Sequence, residues 1–185
     1  QHDLKVVLVT NGFINPDPLR DLMAVTDAMN IDLKSIRPDF YSRICKGELA
    51  PVLKTIEAVA SSKVHLEITN LLITGRNDAD SEIRQLVEFV ATLSPIIPLH
   101  LSAYHPDYKM SESATSARTV LHARTIARER LAYVYAGNIS SEDGSDTFCP
   151  TCSQLLIQRR GYRTRVVGVR NGRCNQCGSE TGIRQ

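Results

Sequence analysis

The chain has 185 residues, of which 42% are hydrophobic and 23% charged, and its formal net charge is +2. These values are ordinary for a globular protein and exclude a disordered or fibrous chain. A net charge so close to zero does not favour a surface built to bind nucleic acid. No apolar run approaches the roughly 20 residues that a transmembrane helix needs.

Segments with strand and helix patterns alternate over the first 139 residues. Residues 6–9 form a continuous apolar run typical of a buried strand, and apolar residues at helical spacing predict a helix over residues 16–29. Further strands are predicted over residues 29–33, 64–73, 96–104 and 132–136. Further helices are predicted over residues 37–44, 51–61, 80–93 and 114–130. Asp78 or Asp80 is the expected N-cap of the helix over residues 80–93. This alternation predicts βαβ units and a parallel sheet, either open or curled into a barrel.

The last part of the chain carries two CxxC pairs, Cys149 with Cys152 and Cys174 with Cys177, separated by 21 residues. Each pair offers two sulfur ligands from one turn, and two facing pairs complete the tetrahedron that Zn²⁺ prefers. The four cysteines could also hold iron instead of zinc. If they bind no metal, the alternative is that they form two disulfides. Strands predicted on both sides of Gly161 give residues 140–185 the outline of a zinc ribbon.

This tail is also rich in arginine, at positions 159, 160, 163, 165, 170 and 173. A basic ribbon can bind phosphates, but Tyr162 is nearly the only aromatic residue there that could stack on bases. We therefore expect no nucleic acid partner and favour a module that packs on the larger domain or docks a protein. A ribbon this small has too little core to fold without its metal. No signal-peptide pattern is visible, and the cysteine pattern suits a reducing compartment, so we expect a cytoplasmic protein.

Polar residues stand at the carboxyl ends of four predicted strands, where α/β folds bind their ligands. They are Thr10-Asn11-Gly12, Asp32-Leu33-Lys34, Thr69-Asn70 with Thr74-Gly75, and Tyr104-His105. Taken singly, Asp32 and Lys34 could form only a surface ion pair, and His105 could be only a cap. Their equivalent positions on successive strands predict one binding site at this edge of the sheet.

The order and spacing of these motifs resemble the second half of a radical S-adenosylmethionine (SAM) enzyme. The likeness is to the activating enzymes of pyruvate formate-lyase and, over essentially all 185 residues, to the radical enzyme of the AmmeMemoRadiSam system. The matching motifs are Thr10-Asn11-Gly12, Asp32-Leu33-Lys34, Leu72-Ile73-Thr74-Gly75, Tyr104-His105 and the cysteine tail. The resemblance implies an α/β fold. Residues 1–139 would be the C-terminal part of a partial (β/α)6 TIM-like barrel, followed by a four-Cys zinc-ribbon-like module over residues 140–185.

The resemblance also implies a mechanism, in which a [4Fe–4S] cluster reductively cleaves SAM to a 5′-deoxyadenosyl radical that abstracts hydrogen from a substrate. Carried over, Asp32 and Lys34 would line the methionine or ribose region, with Lys34 facing a carboxylate. His105 would contact the ribose or adenine, and Thr10 and Asn11 would form the floor of the site. The implied partners are a substrate protein, as in glycyl-radical activation, or a small molecule, and an electron donor such as flavodoxin or ferredoxin.

Two motifs of the family are absent from this sequence: the CxxxCxxC that holds the cluster and the Gly-Gly-Glu segment after the second strand. Cys45 is the only cysteine outside the tail, and one cysteine cannot hold a cluster. We therefore expect an N-terminally truncated family member, inactive as it stands but active at full length. The alternative is a non-catalytic half-barrel with a zinc ribbon that binds a protein or nucleic acid.

Overall fold

Five parallel strands form the main sheet of the computed structural model, which describes residues 4–139, 144–161 and 163–183. The strands are β1 (Val7–Thr10), β2 (Ala28–Asp32), β3 (His65–Leu72), β4 (Leu99–Ala103) and β5 (Val134–Gly137). They neighbour one another in chain order, without the reversal that marks a doubly wound sheet. The predicted start of the tail at residue 140 and Tyr162 lie outside the described residues.

Helices connect the strands. They are α1 (Pro16–Ala24), α2 (Pro38–Phe40) continued by a π-helical turn over Tyr41–Cys45, α3 (Leu49–Ala60), α4 (Asp80–Leu93) and α5 (Ala117–Ala127). Because each crossover joins parallel neighbours in the same order, a common right hand places the helices on one face of the sheet. No helix in the described part of the chain is long and apolar enough to span a membrane.

Burial alternates along the central strands in agreement with this one-sided covering. Ile31, Ile68 and Leu101 are at most 1% exposed on the helix-covered face, and the residues between them are half-buried. We call the half-buried side the open face. A sequential parallel sheet covered on one side is the arrangement of a barrel segment, so the predicted α/β partial-barrel architecture is confirmed.

Three local expectations were wrong. Strand β1 is not buried, since Val7 and Val9 are 61% and 78% exposed at the sheet edge, on the open face. Helix α1 ends at Ala24 rather than near residue 29, because the backbone N–H groups of Asp27 and Ala28 bond to Val6 and begin β2. Helix α4 has Ala79 at its N-cap, without a side-chain cap.

The cysteine tail forms two small sheets packed beside β5. One contains β6 (Thr147–Phe148), β7 (Leu155–Arg160) and β8 (Arg163–Val166), and the other contains β9 (Val169–Arg170) and β10 (Arg173–Cys174). The Tyr133 hydroxyl donates to the Thr181 carbonyl at 2.5 Å, and the Ala136 N–H donates to the Gly144 carbonyl at 2.9 Å. The tail is therefore docked on the last strand of the main sheet.

Candidate functional site

Asp32 and Lys34 form an ion pair where β2 ends. Lys34 Nζ lies 2.8 Å from Asp32 Oδ2, and the two side chains are 35% and 26% exposed, respectively. Residues two apart on an extended chain share a face, which is why the two charges meet on the open face. The ammonium keeps further N–H donors for a carboxylate, and the carboxylate keeps an acceptor for an amine or hydroxyl. The pair can therefore hold a polar, zwitterionic ligand.

Two buried asparagines fix the backbone beneath Lys34. Asn70 Nδ2 donates to the carbonyls of Leu33 at 2.7 Å and Lys34 at 3.1 Å. Asn77 Nδ2 donates to the same Lys34 carbonyl at 2.7 Å, while its Oδ1 accepts the Ile73 N–H at 2.7 Å. Both asparagines are 2% exposed. They hold the ion pair in position, and sequence reasoning missed Asn77, whose only signal is its place in the turn after β3.

Thr10 and Asn11 shape the turn after β1. The Thr10 hydroxyl accepts the Gly12 N–H at 3.1 Å, and Asn11 Oδ1 accepts the Phe13 N–H at 3.0 Å. Thr10 pairs in register with the buried Ile31, so it lies on the helix-covered side, whereas Asn11 is exposed. Gly12 has a φ of +71°, and a Cβ there would approach Ile31 to 2.8 Å, so the turn requires glycine.

His105 follows β4 and is exposed, with no hydrogen bond to another described residue. Strand β3 separates it from the Asp32–Lys34 pair. With strands about 4.8 Å apart, a ligand that touches both must span on the order of 10 Å. The structure thus places Asp32 with Lys34, and leaves His105 as a separate exposed side chain at the same edge of the sheet.

A second polar group, missed by sequence reasoning, crosses the open face. Glu67 accepts hydrogen bonds from His100 Nε2 at 2.7 Å and His65 Nε2 at 3.2 Å. These two hydrogen bonds lower the pKa of Glu67 to about 2, and the bond from His100 has the larger effect. The His100 ring stacks on Tyr135 with centroids 5.1 Å apart. The β3–β4–β5 register brings His100 and Tyr135 to Glu67, whereas His65 lies two residues before Glu67 on the same strand.

The register aligns this group with the ion pair. Asp32, Thr69, His100 and Tyr135 are successive partners across β2 to β5, so they form one row on the open face. Glu67 fixes the His100 ring through Nε2, and Nδ1 has no partner among the described residues. A carboxylate that orients an imidazole leaves the other ring nitrogen available to hydrogen-bond with a ligand.

The four tail cysteines meet at one point. Their sulfur atoms all lie within 4.8 Å of one another, with 3.7 Å between Cys149 and Cys177 and between Cys152 and Cys174. Four sulfurs at the Zn–S distance of about 2.3 Å stand about 3.8 Å apart around one ion, so the group fits a single tetrahedral metal. A [4Fe–4S] cluster binds each cysteine to a different iron and needs a wider cage. All four cysteines are free, so the two-disulfide alternative is not realised.

Two equivalent turns present the sulfurs. The Ser153 N–H donates to the Cys149 carbonyl, and the Gly178 N–H donates to the Cys174 carbonyl, both at 2.9 Å. Ser153 and Gly178 each have positive φ, so each CxxC closes in the same way. Burial raises the pKa of the Cys149 thiol, but hydrogen bonds from the Ser179 hydroxyl and backbone amides outweigh it and lower that pKa to about 6. Cys149 therefore favours the thiolate that a metal binds. At Cys152 the Gln154 backbone lowers the pKa, but burial and the neighbouring thiols outweigh it and raise that pKa to about 12.

The chain is similar in sequence to several known proteins. No protein-family model matches the chain. An uncharacterized protein of Methanocaldococcus jannaschii is 38% identical over 182 residues, which are 96% of this chain and 54% of that protein. The pyruvate formate-lyase-activating enzyme of Listeria monocytogenes is 26% identical over 89 residues, which are 48% of this chain and 36% of the enzyme. The chain thus spans about a third to a half of these curated relatives.

Solved structures extend the likeness. A domain of pyruvate-formate lyase-activating enzyme from Bacteroides vulgatus superposes with a TM-score of 0.62 at 25% identity, over 71% of this chain and 80% of that domain. These neighbours point to the radical SAM superfamily. A radical SAM methyltransferase from Sphaerobacter thermophilus shares the fold, with a TM-score of 0.59 at 16% identity over 80% of this chain and 43% of the enzyme. The radical SAM partial barrel is therefore the architecture of the main sheet.

Proposed function

We propose that this chain is the carboxyl-terminal part of a radical SAM enzyme related to pyruvate formate-lyase-activating enzymes and to the AmmeMemoRadiSam radical enzyme. The observation that carries the proposal is the superposition on the Bacteroides vulgatus domain over 71% of the chain. The Asp32–Lys34 pair supports it, because it lies at a strand end on the open face, where a barrel binds its ligand.

In this proposal the residues of the open face bind SAM. Lys34 bonds to the methionine carboxylate, and Asp32 accepts from the amino group or a ribose hydroxyl. His105 lies on the order of 10 Å from the ion pair, across β3, and contacts the ribose or adenine end. SAM is a nucleoside joined to an amino acid, so it is long enough to reach both. Thr10 and Asn11 shape the floor through the turn that they close, and Asn70 and Asn77 keep Lys34 in place.

The [4Fe–4S] cluster would supply the electron that cleaves SAM. The cysteines present do not fit it, since the four tail sulfurs are spaced for a single ion and Cys45 is the only cysteine outside the tail. We therefore propose that its ligands belong to residues outside these 185. The tail would hold zinc, or else a single iron, as a structural centre. The proposed partners are a protein or small-molecule substrate and a flavodoxin or ferredoxin in the cytoplasm.

The test is SAM binding and turnover by the complete protein. Anaerobic reconstitution with iron and sulfide should give a brown protein that consumes SAM under reducing conditions. Asp32→Ala and Lys34→Ala should each weaken SAM binding at least tenfold in calorimetric titration, because each removes a charge-assisted hydrogen bond. Asp17→Ala, which removes the exposed Asp17–Arg20 pair, should bind SAM normally.

Either of two results would contradict the proposal. Unchanged affinity in both variants would remove the assigned roles of Asp32 and Lys34. A complete protein that takes up no cluster and consumes no SAM would leave the non-catalytic module that binds a protein or nucleic acid.

A further inference from the structure

Charge is strongly segregated along this chain. Residues 147–179 contain six arginines and no lysine, aspartate or glutamate. All 20 acidic residues and the other 16 of the 22 lysines and arginines lie outside this segment. A protein of net charge +2 therefore contains a 33-residue segment of formal charge +6, which lies between Asp146 and Glu180. The overall charge, which argued against a nucleic acid partner, conceals this local excess.

The β7–β8 hairpin collects three of these arginines on one face. Arg160 is paired in register with Arg163, and Gln158 with Arg165. Cross-strand partners point to the same side of a sheet, so Arg160, Arg163 and Arg165 form a row that we call the arginine face. Like charges opposite each other destabilise a strand pair. A folding advantage therefore does not explain this placement.

Partners within the chain do not neutralise the row. Arg160 Nη1 lies 3.1 Å from Asp146 Oδ2, which accounts for one charge. Arg163 and Arg165 are exposed and form no ion pair with any residue in the described part of the chain. By contrast, Arg173 pairs with Glu180 at 2.6 Å, and Arg159 bonds to Thr147 and lies over the Tyr135 ring.

The charge of the metal centre does not explain the row either. Four thiolates around a divalent ion carry a net negative charge, which nearby arginines would balance. Arg160 is the last of the six residues of β7, at the end far from the Cys149–Cys152 turn, and at about 3.3 Å per residue it stands about 20 Å along the strand. This exceeds the Debye length of about 8 Å at physiological salt, so the centre barely acts on the end of the hairpin that carries Arg160 and Arg163.

We propose that the arginine face binds the phosphate backbone of a nucleic acid strand. Guanidinium groups bond to phosphate oxygens through two parallel N–H donors, which lysine cannot do, and every cation of this segment is arginine. Neighbouring arginines stand roughly 5–7 Å apart along and across the strands, which suits a chain of repeated anions better than one small ion. This inference is independent of the proposed SAM chemistry.

The test uses the intact protein and fluorescein-labelled single strands of RNA and DNA of one sequence, followed by fluorescence anisotropy. Arg163→Glu with Arg165→Glu should weaken binding at least tenfold. The slope of log affinity against log salt should fall by about 1.4, because each phosphate that the variant no longer neutralises accounts for about 0.7. Comparing the two strands shows whether the surface distinguishes RNA from DNA.

A matched control separates this face from general charge. Arg118→Glu with Arg128→Glu makes the same charge change at exposed positions on helix α5 and at its C-terminal end, and should leave the affinity unchanged. Metal content measured in every variant confirms that the tail is folded. The proposal is overturned if wild-type protein binds neither strand at low salt, if both double variants bind equally, or if polyglutamate competes as well as unlabelled nucleic acid.

Discussion

Glu67 shows how one side chain can organise a surface. It lies on the open face between two imidazoles, and the hydrogen bond to His100 contributes most to lowering its pKa to about 2. The charged form is therefore the stable one in the folded protein across the physiological range. A carboxylate held charged in this way keeps the His100 ring in one orientation beside Tyr135.

The depressed pKa of Glu67 predicts a specific acid sensitivity. Stability from this carboxylate is present above its ordinary pKa near 4.5 and is lost as the pH falls towards 2. After allowance for partial exposure, Glu67→Gln should lower the free energy of unfolding by about 1–2 kcal/mol at pH 7. Urea unfolding at several pH values should show the stabilities of the wild-type protein and the Glu67→Gln variant converging near pH 2. A constant difference at all pH values would contradict this.

At the scale of the element, the two CxxC turns show why a short segment can be a stable module. Few buried side chains support the tail apart from the cysteines themselves, chiefly Leu156 and Ile157. Such a core is too small to fold alone, and a metal bound by the four cysteines would supply the missing free energy. The equivalence of the two turns, each closed by a residue with positive φ, makes the four sulfurs converge.

Removal of one thiolate should therefore unfold the tail. Cys149→Ser is expected to lose the metal, which elemental analysis should find at one ion per wild-type chain, and to make the tail sensitive to protease. Cys45→Ser, outside the tail, is the control and should keep one ion. Cobalt substitution should show the absorption of a tetrahedral tetrathiolate. Acid-labile sulfide bound at the tail would instead indicate a cluster.

At the scale of the molecule, two tyrosines join the tail to the main sheet. Tyr135 lies in β5, and Tyr133 comes directly before this strand. Tyr133 is buried, and its hydroxyl donates to Thr181, while the Tyr135 hydroxyl lies 2.8 Å from Thr147 Oγ1. Tyr135 also carries the His100 ring on its face, so the open face and the tail share one side chain. The tail therefore borders the candidate site.

This junction predicts that docking can be weakened without loss of metal. Tyr133→Phe leaves the buried Thr181 carbonyl without its donor and should cost about 1–3 kcal/mol. Hydrogen exchange should then rise at the β5–tail boundary while the metal content stays at wild-type level. Tyr108→Phe is the control, since Tyr108 is 89% exposed. Unchanged exchange at the boundary would show that this hydrogen bond does not hold the tail.

The sequence alone determined the features that depend on local patterns. Alternating apolar periods predicted the parallel α/β sheet, and the CxxC spacing predicted the four-Cys group. Asp32 and Lys34 form the ion pair that their spacing allowed, and their role in binding a ligand stays a prediction. These patterns are local. Neighbouring residues determine whether a segment forms a helix or a turn, and residues two apart on a strand always share a face.

Only the tertiary structure decided what depends on register and exposure. Glu67 and His100 are 33 residues apart and meet because β3 pairs with β4, and Asn77 reaches Lys34 from 43 residues away. Strand β1 has an apolar pattern but an exposed face, because burial depends on what packs against a strand and not on its composition. The arginine face likewise required the β7–β8 register, since strand pairing brings separated charges to one side of a sheet.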